Sequence, residues 1–276
     1  MSVLATPVHV SEQLPSQASG QLFFASLGSG SQGNATLVSD GITRVLVDCG
    51  FTLKETEQRL ARLGVSACQL DAILVTHEHG DHIGGVGPLA RRYKLPVYLT
   101  PGTWRAGKLG RIAPQQLFWI TPQQRFALVS LTIDPITVPH DAREPVQFCF
   151  STDACRLGLL TDLGHASAHV ISAFRGCDAL LLECNHDTQL LQEGPYPASL
   201  KRRVGGRWGH LANRQAAQLL QQLGLDRLQH IVCSHLSEQN NRPELVLESL
   251  CPLLDGDESR LTIATQHHGK DWQSIC

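Results

Sequence analysis

The stretch Thr76-His77-Glu78-His79-Gly80-Asp81-His82 constrains this chain more than any other. Three imidazoles and a carboxylate fall within the six residues His77–His82, directly behind the apolar segment Ala72–Thr76. A short apolar run of that kind reads as a buried strand. Imidazole suits zinc and other transition metals, and a carboxylate adds charge. In an extended segment residues 77 and 79 point the same way, so they can chelate one ion. Asp81 and His82 come where the chain turns into a helix and can reach a second ion nearby. A loop carrying surface histidines is the bland alternative, and four such residues behind an apolar strand make it a poor account.

The rest of the chain reads as strands first and alternating strands and helices later. Leu22–Leu27 and Ala35–Val38 are apolar runs separated by Gly28-Ser29-Gly30-Ser31-Gln32-Gly33-Asn34, whose glycines signal a tight turn. Ile42–Val47 is a strand that breaks at Asp48-Cys49-Gly50. Leu53–Leu63 has helical spacing with a Glu55/Arg59 pair one turn apart, and Gly64 stops it. Ala72–Thr76 is followed by a helix over His82–Tyr93, a strand at Val97–Leu99 and a helical turn within Pro101–Gly110. Strands are expected at Leu117–Ile120, Leu128–Val138, Val146–Phe150 and Arg156–Thr161. Ser167–Phe174 reads as a helix and Ala179–Glu183 as a buried strand. Leu211–Leu223 is an amphipathic helix with apolar residues at the 3–4 spacing. Ile231–Ser234, a helix at Glu244–Leu250 and a last strand at Leu261–Ala264 complete the pattern. Two packed sheets with helices outside suit it.

The chain is long enough, at 276 residues, to bury a core without disulfides or a structural metal, so a metal here is free to serve chemistry. Nine cysteines are scattered with no C-x-x-C pair. That argues against a disulfide framework or a cysteine zinc site and fits a reducing compartment. No apolar run is long enough to span a membrane. The first twenty residues lack the charged start and apolar stretch of a secretion signal. We therefore expect a flexible N-terminal tail over residues 1–20, one domain over 21–276, and a cytoplasmic protein. The net charge of −2 gives no global signature of nucleic-acid binding, so a local patch has to carry that argument.

H-x-H-x-D-H behind an apolar strand resembles the signature of the metallo-β-lactamase superfamily, from about Gln21 to the end of the chain. The resemblance implies an α/β fold, a four-layer αββα sandwich with its metals at one sheet edge. It also implies further ligands. His140, in Val138-Pro139-His140-Asp141, matches the third histidine of the first metal. Asp162, in Leu160-Thr161-Asp162-Leu163-Gly164, matches the bridging aspartate, and His235, in Cys233-Ser234-His235-Leu236-Ser237, the last histidine of the second. Taken singly, a histidine after a strand is more often a surface or core residue; their order and their place at strand ends reverse those odds. The implied division gives one ion to His77, His79, His140 and Asp162, and the other to Asp81, His82, His235 and Asp162. Two cations a few ångströms apart lower the pKa of a shared water from ~15.7 toward ~7, giving a bridging hydroxide, and Asp81 can orient that water or accept its proton. Zinc, manganese and iron all suit such ligands. Asp48 and Glu183 are candidates for holding the imidazole tautomers.

Several longer stretches are similar to the YycJ/WalJ branch of that superfamily, associated with 5′-to-3′ DNA exonuclease activity. They include Gly28–Asn34, Thr161–His165, Leu182–Asp187, Gly209–Asn213 and His235–Asn241. His210–Leu223 also resembles the tRNA 3′-processing nucleases, where a histidine before a helix helps protonate the leaving oxygen. His210 is the matching residue and a candidate general acid. Just before it lie Lys201-Arg202-Arg203-Val204-Gly205-Gly206-Arg207-Trp208. Four cations, two flexible glycines and an indole suit phosphate contact with base stacking; a solvated loop is the alternative. Asn34 and Ser31 on the glycine loop, and Asn185 and His186 after the buried strand, are further candidates for the pocket. The expected function is a dimetal phosphodiesterase acting on nucleic acid, DNA above all, with no membrane partner. A dimetal hydrolase of a small ester, thioester or lactone is the alternative, and such an enzyme has less use for four cations beside its pocket.

Overall fold

The computed structural model describes residues 20–276; the expected N-terminal tail falls, but for Gly20, outside the described residues. Two seven-stranded sheets form the centre among those residues. The first holds β1 (Leu22–Gly28), β2 (Ala35–Ser39), β3 (Arg44–Val47), β4 (Ala72–Leu74), β5 (Val97–Leu99) and β6 (Leu117–Trp119). The second holds β7 (Phe126–Leu128), β8 (Leu131–Thr137), β9 (Val146–Ser151), β10 (Arg156–Leu160), β11 (Ala179–Glu183), β12 (His230–Ser234) and β13 (Leu261–Ile263). The last strand, β14 (Lys270–Ile275), returns to the first sheet and pairs antiparallel with β1.

Both faces of the central strands, β4 and β11 among them, are apolar, and the period of two sorts them. Ala72 and Leu74 face the opposite sheet, where they join Phe24, Phe148 and Leu181. Ile73 and Val75 face outward against α1 (Leu53–Arg62) and α3 (Val86–Tyr93). The outer face of the second sheet meets α5 (Ala168–Phe174), α8 (Asn213–Leu223) and α9 (Pro243–Leu250) through Leu180, Phe174, Leu219 and Val246. Three apolar interfaces therefore separate four layers in the order αββα. Short helices α2 (Gly80–Ile83), α4 (Pro101–Ala106), α6 (Thr188–Glu193) and α7 (Ala198–Val204) sit in the connections.

The strand directions place the site. β3 to β6 run parallel, as do β10 to β13, and parallel neighbours need helical crossovers on the sheet faces. β8 is antiparallel to β9 and β9 to β10, so β8 points the same way as β10. The residues just beyond β3, β4, β8, β10, β11 and β12 thus gather where the carboxyl ends of parallel strands leave a crevice.

Several local expectations change. The helix expected over His82–Tyr93 is two helices, because Gly84 and Gly85 interrupt it; a Cβ on Gly85 would lie 2.0 Å from Phe51 O. The single strand expected over Leu128–Val138 is a hairpin turned at Val129, which adopts φ 54°. Leu211 and Ala212 are not helical: Ala212 pairs with His186 in an isolated bridge, and α8 starts at Asn213. Leu261–Ala264 is not the last strand. The basic stretch expected as a loop begins as the last turn of α7, which ends at Val204. None of the nine cysteines forms a disulfide, and no helix among the described residues is long and apolar enough to cross a membrane.

Candidate metal centre

Three strand ends deliver their side chains with the same backbone device. Asp48 after β3, Asp162 after β10 and His235 after β12 all adopt left-handed φ, at 61°, 52° and 56°. Asp and His tolerate this region better than most residues, and the kink turns the side chain off the strand into the crevice. The strain is localised where the side chains converge. Gly50 gives the H-x-H-x-D-H turn its depth, since a Cβ there would sit 1.8 Å from Asp81 O. Gly50→Ala should therefore lower stability by about 3 kcal/mol and weaken metal retention, both read by chemical denaturation with and without chelator.

Seven expected side chains come together. His77 Nε2 lies 3.0 Å from His79 Nδ1, and His140 Nε2 lies 3.3 Å from the same atom. Asp81 Oδ2 is 3.5 Å from both His82 Nε2 and His235 Nε2. Asp162 stands between the two groups, with Oδ2 3.1 Å from His82 Nε2, and Oδ1 3.4 Å from His235 Nε2 and 3.9 Å from His140 Nε2. Donor atoms bound at ~2.0–2.1 Å around one tetrahedral ion stand about 3.3 Å apart, so these separations suit shared cations. The fit is also visible in what is left unpaired. Asp162 Oδ2 and His235 Nε2 are buried and make no hydrogen bond among the described residues. An unsatisfied buried polar atom costs about 1–3 kcal/mol, and a divalent ion between them removes that cost.

The imidazoles are held with their lone pairs inward. His82 Nδ1 donates to Asp48 Oδ2 over 2.8 Å. His77 Nδ1 lies 2.9 Å from Thr76 Oγ1, whose hydroxyl in turn donates to Asp48 Oδ2. His140 Nδ1 is 3.0 Å from Gly209 O. With Nδ1 committed, each Nε2 is free as an acceptor, the state a metal requires. Burial pushes the His77 and His140 imidazoles below their ordinary pKa, so they are neutral. At His82 burial also acts downward, but Asp162, Asp81 and Asp48 outweigh it and raise the pKa. Those carboxylates draw positive charge to this point, as a proton on His82 or as a cation.

His210 and Glu183 form a second device on the same wall. His210 Nδ1 donates to Glu183 Oε1 over 2.6 Å, while Glu183 Oε2 accepts from the amides of Leu163 and Leu211. Burial depresses the imidazole, yet the adjacent Glu183 carboxylate, with Asp162 and Asp141, raises its pKa to about 9. The cavity, about 340 Å³, is lined by His79, Asp81, Asp162, His210 and His235. Ser31, Asp141, Asn185, Tyr196 and Arg203 also border it.

The expected substrate contacts divide. Arg203 lines this cavity and pairs with Asp141. Lys201 and Arg202 point to a different cavity across α7, and Arg207 borders neither of them. The glycines beside them are set by packing rather than flexibility: a Cβ on Gly206 would meet Arg202 O at 2.6 Å. Asn34 lies beneath the donors instead of in the cavity wall. Its amide donates to Gly30 O and reaches Asp81 Oδ2 and His82 Nε2, so it ties the glycine loop to the cluster. Asn185 borders the cavity while its amide is held by His235, 3.2 Å from Nδ1 and bonded to the carbonyl. Sequence reasoning missed Asp141 and Tyr196. Asp141 had a signal, since it follows His140 directly; Tyr196 had none.

Residues 43–233 match the family described as a beta-lactamase superfamily domain. The chain is 37% identical over 236 residues to exodeoxyribonuclease YycJ of Bacillus anthracis, covering 85% of this chain and 89% of that protein. It is 36% identical over 227 residues to exodeoxyribonuclease WalJ of Streptococcus pneumoniae, covering 80% and 84%. Among solved structures, the metallo-beta-lactamase fold protein YhfI of Bacillus subtilis superposes with a TM-score of 0.70 at 17% identity, over 93% of this chain and all of that one. The short form of human tRNase Z gives 0.62 at 17% identity, over 92% and 98%; both likenesses concern the fold. The chain belongs to the beta-lactamase superfamily of metal-dependent hydrolases, in the branch of the YycJ and WalJ exodeoxyribonucleases.

Proposed function

We propose that the protein is a dimetal phosphodiesterase that degrades DNA from the 5′ end. The observation that carries the reading is the His210–Glu183 pair, set in the same cavity wall as the His/Asp donor cluster. His77, His79 and His140 would hold one divalent ion, Asp81, His82 and His235 the other, with Asp162 between them. Such ions, zinc or manganese above iron, supply an ionised water near neutral pH and neutralise charge on a phosphate.

The chain's own groups do the rest. Asp81 borders the cavity and is held well below the usual carboxylate range: burial acts upward, and the imidazoles of His82 and His235 outweigh it. It stays ionised and can orient the attacking water by accepting its hydrogen bond. Attack forms a new P–O bond, and the bond to the sugar oxygen breaks. His210 donates its proton to that leaving oxygen, and the Glu183 carboxylate beside it keeps the imidazole protonated beforehand. Arg203, at the wall, attracts the phosphate and shares its charge with Asp141. A small ester needs neither a proton donor for a sugar oxygen nor a cation at the mouth. The exodeoxyribonuclease relatives support DNA over RNA as substrate.

The test is hydrolysis by purified protein with added Mn²⁺ or Zn²⁺. Labelled duplex and single-stranded DNA, RNA and chromogenic esters would be compared, with His79→Ala as control. Progressive loss of nucleotides from the 5′ end, absent in the control, is expected. Ester hydrolysis without DNA cleavage would overturn the reading.

A further inference from the structure

Helix α7 is a partition. Leu200, Arg203 and Val204 face the metal cavity, while Lys201, Arg202 and Gly205 face a second cavity of about 600 Å³ on its other side. That second cavity is closed by His186, Leu191 and the first turn of α8, with Arg214 and Gln215. Three cations border it and no carboxylate does.

Lys201 and Arg202 have an ordinary explanation, since they sit in the last turn of α7, where a helix favours positive charge. Arg214 has none. It stands in the first turn of the eleven-residue helix α8, where the dipole opposes a cation, and no acidic residue accompanies it. The N-cap there is Ala212, which offers no side-chain acceptor. The amides of Arg214 and Gln215 donate to no acceptor among the described residues. Gln215 instead turns its Oε1 back to the Ala212 amide. An anion at this spot would satisfy the amides and reverse the unfavourable charge of Arg214 at once.

His186 borders the same cavity. It is 3% exposed, and its Nδ1 makes no hydrogen bond among the described residues. Its backbone carbonyl accepts from Asn213 N over 2.9 Å, which fixes the residue against the start of α8. Lys201 spends one bond of its ammonium on Gln192 O and is held at the rim.

We infer that the cavity formed by His186, Lys201, Arg202, Arg214 and the α8 N-terminus is a second phosphate subsite, binding a backbone phosphate of the DNA strand engaged at the metal centre. The inference rests on the reading of the protein as a DNA phosphodiesterase. A strand crossing α7 places one phosphate among the metal donors and another in this subsite. A helix with its side chains is ~10–12 Å thick, so a dinucleotide cannot reach both sites and a dodecanucleotide can.

Arg214→Glu tests it, in the full-length protein, on a surface position whose change leaves the core untouched. The probes are a fluorescein-labelled single-stranded DNA dodecamer and a labelled dinucleotide. KM for the dodecamer should rise roughly tenfold, while KM for the dinucleotide moves less than about twofold. The slope of log affinity against log salt should fall by about 0.7 for the lost phosphate contact. Anisotropy of the dodecamer on chelator-treated protein reads the same contact without turnover and should show the same loss. An unchanged dodecamer KM and salt slope, or an equal rise for both substrates, overturns the subsite alone. Failure of the parent protein to cleave any DNA overturns the nuclease reading and the subsite with it.

Discussion

Asp162→Asn is expected to fold as the parent does and to lose most of its hydrolytic activity, with kcat/KM on DNA reduced at least a thousandfold. The position has φ 52°, a conformation asparagine tolerates as readily as aspartate, so the exchange removes charge with little new strain. Asp162 oxygens approach His82, His140 and His235 at 3.1, 3.9 and 3.4 Å, which makes this carboxylate the link between the two donor groups. Removing its charge forfeits several kcal/mol of metal binding and transition-state stabilisation, and each ~1.4 kcal/mol is a factor of ten in rate. Elemental analysis should show at least one fewer divalent ion per chain. Full metal content with activity within tenfold of the parent would remove Asp162 from its proposed bridging role.

His210→Ala should retain metal and still lose roughly 10²–10⁴-fold in kcat on DNA, the range of a general acid. The loss should shrink to less than about tenfold on a substrate whose 4-nitrophenolate leaving group needs no proton, because the role proposed for His210 is proton donation to the leaving oxygen. The sign of the pH dependence follows from the raised pKa. In metal-free protein the imidazole titrates at about 9; bound cations add positive charge and bring it down. An acid must be protonated, so activity falls as pH rises through that value, and the alkaline limb should be missing from the His210→Ala profile. Glu183→Gln should lower the imidazole pKa in the metal-free protein, which NMR titration reads directly. Equal losses on both leaving groups would assign His210 to positioning instead of proton donation.

The donor cluster was legible because its chemistry is written in residue types at strand ends. His77, His79, Asp81 and His82 announce themselves by spacing, and the apolar segment behind them says that they sit at a sheet edge. His140, Asp162 and His235 needed the resemblance for their assignment, since each is a single polar residue after an apolar run. Asp48 and Glu183 could be suspected and not ranked. Their roles depend on which imidazole lies across from them: Asp48 reaches His82 from 34 residues away, and Glu183 reaches His210 from 27. The Gly209 carbonyl that fixes His140 leaves no mark in the sequence, because a backbone acceptor is the same at every residue.

What the sequence determined by itself was the local pattern. Its apolar runs set most strands, the 3–4 spacing of its apolar residues set the helices α1 and α8, and its polar strand ends set the chemistry. What only the tertiary structure decided was everything that depends on a distant neighbour. β14 pairs with β1 across nearly the whole chain, and Gly84-Gly85 interrupts a helical pattern because Phe51 O lies where a Cβ would be. Asn34 turns inward to hold the donors. Most of all, Lys201, Arg202 and Arg203 are adjacent in the chain yet divide between two cavities. A helix rotates successive residues by about 100°, so neighbours in sequence face different ways, and only the packing around α7 decides what each of them meets.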